Sequence, residues 1–234
     1  MDYNDFELAQ MQAEALFVHD ANGKLLRVNE PESEPMVAAP CFFFSRTVEG
    51  NLWRTRYDLS DDLSKTLEQL ATDEPVVDDL NEPLRHAAEY EAILNVDTPV
   101  KLEGNPAYWL PELEPPKSAV MISPKNAALL EVHFGWLVKT VPIYAPMAAV
   151  VVDGKAVAVC FCSRITARVA EAGVFTAEDY RGHNYATDTV RGWAAGVRAT
   201  GRLPLYSTSS TNFASQSIAR KLRAVQYATT YSLT

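Results

Sequence analysis

"AGVFTAEDYRGHNYATDTVRGWAAGVR", Ala172 to Arg198, passes from an apolar run through a polar turn into an amphipathic segment. Ala186, Val190, Trp193, Ala194 and Val197 recur at helical spacing, and Gly201 follows as a C-terminal stop. The pattern predicts a helix from about Tyr185 to Thr200, preceded by a strand that ends at Thr176. A helix that begins straight after a turn presents unpaired backbone N–H groups and a partial positive charge of about half a unit. Gly182 permits close backbone approach, and Asn184 belongs to the residue types that best tolerate left-handed φ. Arg181 and His183 add side-chain donors. The junction is shaped for an anion, a phosphate or pyrophosphate. Alone it is not a specific signal, because many strand-to-helix loops hold one glycine and one arginine.

Around this stretch the C-terminal part alternates regularly. "SAVMIS" is strand-like, and "PKNAALLEVHFGWLV" is expected to be helical, with Pro124 suited to a first turn. "MAAVVVDGKAVAVCFCSRIT" reads as two strands turning at Asp153-Gly154, and "AEAGVFT" as a third. "LPLYSTS", "NFASQSIARKLR" and "VQYATTYSLT" continue as strand, helix and strand. The N-terminal part reads as a smaller α+β module. It has a helix from an Asn4/Asp5 start, a hairpin at Asn22-Gly23, a hairpin expected to turn at Gly50-Asn51, and a helix capped by Ser60. Between the two parts, "GNPAYWLPELEPPKS" carries Pro106, Pro111, Pro115 and Pro116, which argue against a continuous helix or central strand. The division expected is therefore 1–104, a Pro-rich connector over 105–118, and 119–234. The fold class expected is α+β, a mixed, mostly antiparallel sheet flanked by helices.

The 234 residues are 47% hydrophobic, enough for a packed core. The formal charge of -9 argues against nucleic acid, whose recognition draws on clustered Lys and Arg. No run reaches the ~18 apolar residues of a spanning helix, and the acidic start lacks the order of a secretory signal, so no membrane partner is expected. Three cysteines, Cys41, Cys160 and Cys162, make a disulfide framework a poor expectation and a reducing cytoplasm the simplest setting. Cys160 and Cys162 share a strand face, but C-x-C without further ligands is a poor metal site. No metal is expected. Arg164 and Arg168 read either as a cofactor mouth or as a solvated hairpin tip.

Arg181, Gly182, His183, Asn184, Tyr185 and Ala186 fall in order on the Q/R-x-x-G-x-G/A signature of the GCN5-related N-acetyltransferases (GNAT). Tyr206 to Ser209, Asn212, Ser215, Ala219 and Leu222 resemble the "YSTS…N-x-x-S…A-x-x-L" segment of the same family. The resemblance covers about Ala119 to Thr234. Asn184 stands where the family usually has its central glycine, Leu222-Arg223-Ala224 replaces Leu-Gly-Phe, and Ala219 stands where a proton-donating tyrosine often lies.

The resemblance implies acetyl-CoA as acyl donor, its pyrophosphate held by the amides of Arg181 to Ala186. Its pantetheine arm would add to the strand edge at Gly173, Val174, Phe175 and Thr176, with Asn212 and Ser215 contacting the arm or capping the last helix. It implies direct attack by a small or peptidic amine in a ternary complex, with an N–H near Gly173 or Val174 stabilising the oxyanion. Glu171 is the candidate general base; it equally reads as a solvent-facing glutamate at a strand entry. Tyr206 is a candidate proton donor to the leaving thiolate; it reads more readily as a core tyrosine with a satisfied hydroxyl. The rival from another class is a non-catalytic acyl-CoA-binding or interaction protein. A phosphate-ester-binding enzyme unrelated to acyl transfer keeps only the loop.

Overall fold

The computed structural model describes residues 3–30, 36–94 and 102–233. In chain order its elements are α1 (Asp5–Leu16), β1 (Phe17–His19), β2 (Leu25–Val28), β3 (Phe42–Thr47), β4 (Gly50–Thr55), α2 (Asp61–Asp73), α3 (Ala87–Leu94) and β5 (Asn105–Trp109). There follow β6 (Ala119–Ile122), α4 (Glu131–Phe134), β7 (Met147–Val152), β8 (Lys155–Ile165), β9 (Val169–Thr176), α5 (Tyr185–Ala199), β10 (Leu203–Ser207), α6 (Phe213–Lys221) and β11 (Val225–Leu233). The fold is mixed α+β. The ladders β1–β2, β3–β4, β3–β11, β6–β7, β7–β8 and β8–β9 are antiparallel, and β9–β10 is parallel.

Two compact units form, and they are not consecutive along the chain. The first comprises Met1–Tyr108, Ser207–Asn212 and Gln226–Thr234; the second comprises Trp109–Tyr206 and Phe213–Val225. The physical reason is strand pairing. β11 runs antiparallel to β3, Thr229 opposite Arg46 through Leu233 opposite Phe42, so the last strand belongs with the N-terminal module.

In the first unit, α1 opens on a capping box, in which Asn4 Oδ1 accepts from the Glu7 N–H and Glu7 Oε2 accepts from the Asn4 N–H. Ser60 Oγ caps α2 by accepting from the Leu63 N–H. Phe42, Phe44, Leu67, Leu84, Tyr90 and Tyr231 close the core. Two expectations are corrected here. The β3–β4 hairpin turns at Val48-Glu49, because Thr47 pairs with Gly50 and the Thr47 hydroxyl binds both the N–H and the carbonyl of Gly50. The Pro-rich connector begins with a strand, β5. Pro106 stands within it, its carbonyl taking the Thr208 N–H at 3.2 Å although the proline has no N–H to return.

In the second unit, β6 to β9 form an antiparallel meander and β10 joins β9 in parallel. The β7–β8 turn is the expected Asp153-Gly154, both residues at positive φ. α5 packs on one face of the sheet through Val190, Trp193, Ala194 and Val197, all buried. Gly192 makes this approach possible, since a Cβ there would lie 2.6 Å from the Ala119 Cβ. Residues 110–118 are strapped along α5 by side chains: Arg198 donates to the Leu110 carbonyl, Arg191 to that of Glu114 (2.7 Å), and the Ser118 hydroxyl to Asp188 Oδ2 (2.6 Å). The other face is covered by the stretch from Ala127 to Val141, whose Leu130, Phe134 and Leu137 pack on Met147, Ala149, Val159 and Phe161. The stretch is not the single helix expected. It breaks into short turns, Ala127–Leu130 and Gly135–Leu137 being 3-10, because Phe134 leaves helical geometry at φ -134, ψ 37. Among the described residues, no helix is long and apolar enough to cross a membrane.

Candidate functional site

β9 and β10 share only three paired positions, Val169 with Leu203, Pro204 with Ala170 and Glu171 with Leu205. β9 then continues to Thr176 paired with β8 alone, so its other edge opens after Glu171. Which amides face that edge follows from one bond. The Ala177 N–H donates to the Val157 carbonyl at 2.9 Å, across to β8. Successive residues of a strand direct their N–H and C=O to opposite sides. Phe175 and Gly173 therefore bond toward β8, while Ala172, Val174 and Thr176 present their main chain to the open edge. Of the two amides expected near an oxyanion, only that of Val174 faces the open edge. Gly173 serves packing instead. It lies opposite Phe161, and a Cβ would meet that ring at 2.8 Å, so its missing side chain makes room for Phe161.

The side chains of β9 alternate in the same way. Ala172 and Val174 are partners of Cys162 and Cys160, on the face where the Trp193 indole N–H donates to the Cys162 Sγ at 3.4 Å. Glu171, Gly173 and Phe175 take the opposite face, away from α5. Glu171 is only 3% exposed, which removes the solvent-facing alternative. The Ser163 hydroxyl donates to its main-chain carbonyl at 3.2 Å.

Beyond Thr176 a 3-10 turn, Glu178–Tyr180, carries the chain into the junction. Gly182 has φ 84 and Asn184 φ 64, so both adopt the left-handed conformation that their residue types tolerate. The first helical bond of α5 runs from the Asp188 N–H to the Asn184 carbonyl, leaving the amides of Tyr185, Ala186 and Thr187 ahead of the ladder. Arg181 is exposed. The His183 ring folds back, Nδ1 lying 3.0 Å from the Arg181 carbonyl and the ring stacked on Tyr185 at 5.5 Å. His183 is thus a brace of the loop rather than an outward donor. Asn184 Oδ1 accepts from the Lys221 ammonium at the end of α6. Lys221 was missed by sequence reasoning, and its only signal is the run of positive charge at that helix end.

Tyr206 and Ser215 meet, hydroxyl to hydroxyl at 2.6 Å, with the Tyr206 side chain buried. Asn212 falls in the first unit, where its N–H donates to the Ser209 carbonyl. Cys160 and Cys162 are buried, and burial raises both thiols, Cys162 to about 11, so neither offers a thiolate near neutral pH. Arg164 donates to the Ser163 carbonyl at 2.9 Å, and the Arg168 N–H is taken by Thr166 within the hairpin. Among the described residues, no His, Cys, Asp or Glu cluster suits a metal.

No family model and no curated protein matches the chain. Solved structures with a similar arrangement include a GNAT-family acetyltransferase from Colwellia psychrerythraea, 13% identical with TM-score 0.47, covering 99% of this chain and 98% of that one. A GCN5-related N-acetyltransferase-like protein from Streptococcus suis is 15% identical with TM-score 0.44, covering 83% and 84%. A GNAT-family protein from Novosphingobium aromaticivorans is 18% identical with TM-score 0.43, and the match covers 57% of this chain and 64% of that one. With these identities and scores, the site's own geometry has to carry any functional reading.

Proposed function

We propose that the chain is an acyl-CoA-dependent N-acyltransferase of the GNAT type, moving an acetyl group from acetyl-CoA to an amine by direct attack. One observation carries this: β9 parts from its parallel neighbour at Glu171 and re-enters α5 through a turn with Gly182 and Asn184 at positive φ. The open strand edge suits an extended amide-bearing arm, and the helix N-terminus beyond it suits a pyrophosphate. Arg181 and Lys221 supply cations there, and the amides of Gly182 to Ala186 the donors.

In this mechanism the buried Glu171 takes a proton from the incoming ammonium. The neutral amine then attacks the thioester carbon, so a C–N bond forms and the C–S bond breaks. The Val174 N–H donates to the carbonyl oxygen as charge develops on it. The hydroxyl pair Tyr206–Ser215 gives a proton to the departing thiolate and regains one from the positively charged nitrogen of the adduct, leaving free thiol, a neutral acetamide and the first proton on Glu171, from which it passes to solvent.

Thiol release from acetyl-CoA with a panel of primary amines tests this reading. Glu171→Gln is expected to lower kcat by about 10²–10⁴ while acetyl-CoA affinity holds. Absence of thiol release from every amine, with acetyl-CoA still bound, favours the non-catalytic acyl-CoA-binding reading. The engagement of the Tyr206 hydroxyl by Ser215 and the presence of Ala219 motivate that alternative.

A further inference from the structure

The first unit holds a cavity of about 240 Å3 between α3, β11 and the chain that leads into β5, and every residue lining it belongs to this unit. Its walls are apolar, made by Pro83 and Leu84 ahead of α3, Ala87 at its first position, and Leu102 and Pro106. Thr229 adds little polarity, because its hydroxyl is taken by the Gln226 amide at 3.0 Å and its methyl is the group nearest Gly104. Tyr231 is the exception. It is 5% exposed, with its ring set edge to face on Phe44 at 6.2 Å. Among the described residues its hydroxyl has no hydrogen-bond partner. Gly104 lines the same cavity, and a Cβ there would lie 3.0 Å from the Tyr231 hydroxyl oxygen. The hydroxyl itself, and not the ring alone, therefore sits at the cavity wall. A polar atom so buried and left unpaired is costly unless something meets it.

No lining residue is charged. Burial above all raises the Tyr231 pKa, with Arg46 lowering it and Glu74 raising it, so the phenol is neutral and keeps its proton to donate. The ionisable neighbours are engaged elsewhere. Arg46 and Glu74 pair with each other at 3.1 Å, Arg85 turns to Asp73, and His86 lies between Asp73 and Glu89. Glu91 accepts the Leu102 N–H at 2.8 Å, Glu103 accepts from the Ser210 hydroxyl at 3.0 Å, and Glu82 is exposed.

We propose that this cavity binds a small neutral molecule with an apolar body of about one ring and a hydrogen-bond acceptor at one end. The body packs on Pro83, Leu84, Ala87, Leu102 and Pro106, and the acceptor takes the proton offered by the Tyr231 hydroxyl. Size follows from volume: an apolar cavity of about 150 Å3 takes benzene, so this one takes a ring with a short substituent. Neutrality follows from the lining. An ion would exchange its water for a wall with one hydroxyl and no counter-ion. The site requires neither acetyl-CoA nor the β9 edge, so it stands apart from the acyltransferase reading.

The experiment titrates acetophenone, benzoate and phenethylamine into the full chain without acetyl-CoA and reads binding by ligand-observed NMR. Wild type is expected to bind acetophenone with a millimolar or tighter Kd, the scale for a ligand of about nine heavy atoms. Benzoate and phenethylammonium are expected to bind at least about tenfold more weakly. Tyr231→Phe keeps the ring against Phe44, removes the hydroxyl, and should weaken acetophenone by about three- to tenfold. Ala87→Phe fills the cavity from a half-buried position and should abolish binding. Thermal unfolding shows which variants fold, and either one decides the matter alone. No binding to wild type, equal binding of the three probes, or an unchanged affinity in either folded variant overturns the proposal. Failure of every amine to be acetylated alters none of these readings.

Discussion

Between α2 and α3 the chain from Glu74 to His86 closes on itself; between β9 and α5 the chain arrives at an exposed Arg181 and a helix start whose first amides lie ahead of the helical ladder. Both loops use an arginine and several amides. In the first, the fully buried Arg46 donates to the Glu82 carbonyl at 2.6 Å and to Glu74 Oε2 at 3.1 Å. Glu74 in turn accepts the amides of Arg85 (2.9 Å) and His86 (2.8 Å). Charge and amides are consumed inside the protein. In the second, Arg181 is exposed, and the amides at the start of α5 precede its first helical bond. A loop that satisfies itself holds a fold together; a loop that leaves donors at its surface is available to a ligand.

Arginine removal separates the two loops most widely. Arg46→Met leaves Glu74 buried without its partner and is expected to cost about 3–5 kcal/mol in urea unfolding. Arg181→Ala is expected to stay within about 0.5 kcal/mol of wild type in the same measurement while weakening acetyl-CoA binding. Equal destabilisation by the two substitutions would erase the distinction.

A smaller difference lies in the backbone of the outward loop. Nothing lies within 4 Å of a Cβ at Gly182, so Gly182→Ala meets only the left-handed strain of its φ 84. About 1–2 kcal/mol of stability should go, readable as a lowered Tm, together with acetyl-CoA affinity. A loss of Tm without loss of affinity would mean that the turn shapes the fold alone.

The weakest effect is in pH, at the end of the inward loop. His86 lies 2.8 Å from Asp73 and 3.4 Å from Glu89, and the Asp73 carboxylate above all raises its pKa above 6.5. The His86 contribution is therefore complete below pH 6.5 and fades as pH rises through the raised value. Asp73 is lowered from 3.8, chiefly by His86, so its share is complete above 3.8 and fades as pH falls through the lowered value. Stability of the first unit should carry a shallow component, fullest between these values, that His86→Gln abolishes. A pH–stability curve unchanged by His86→Gln would show that this pair contributes nothing.

Local signals were readable in the sequence because they are local. Asn4 and Ser60 cap their helices, Asp153-Gly154 makes its turn, and α5 shows its apolar stripe at helical spacing. Long-range pairing was not. Pro106 looked like a break because the sequence does not show that its carbonyl is the atom in use. The helix expected over residues 124–138 failed at Phe134, where burial of the ring against the sheet outweighs helical continuity. Gly173 and Val174 could not be told apart, since a strand's period of two is visible in sequence while its phase is set by register. The Arg46–Glu74 pair spans 28 residues and Lys221–Asn184 spans 37, separations at which no spacing rule operates.

The functional reading stands or falls on whether the turn from Ala177 to Asn184 cradles a pyrophosphate. Calorimetric titration of acetyl-CoA into wild type and an Arg181→Ala, Gly182→Pro double variant, with thermal shift alongside, reads this without any catalytic step. Wild type should bind, and at a hundredfold excess over its Kd the ligand should stabilise the fold by about 2.7 kcal/mol. The double variant should lose the binding heat while remaining folded. Binding of equal strength to both proteins, or to neither, would contradict the pyrophosphate cradle.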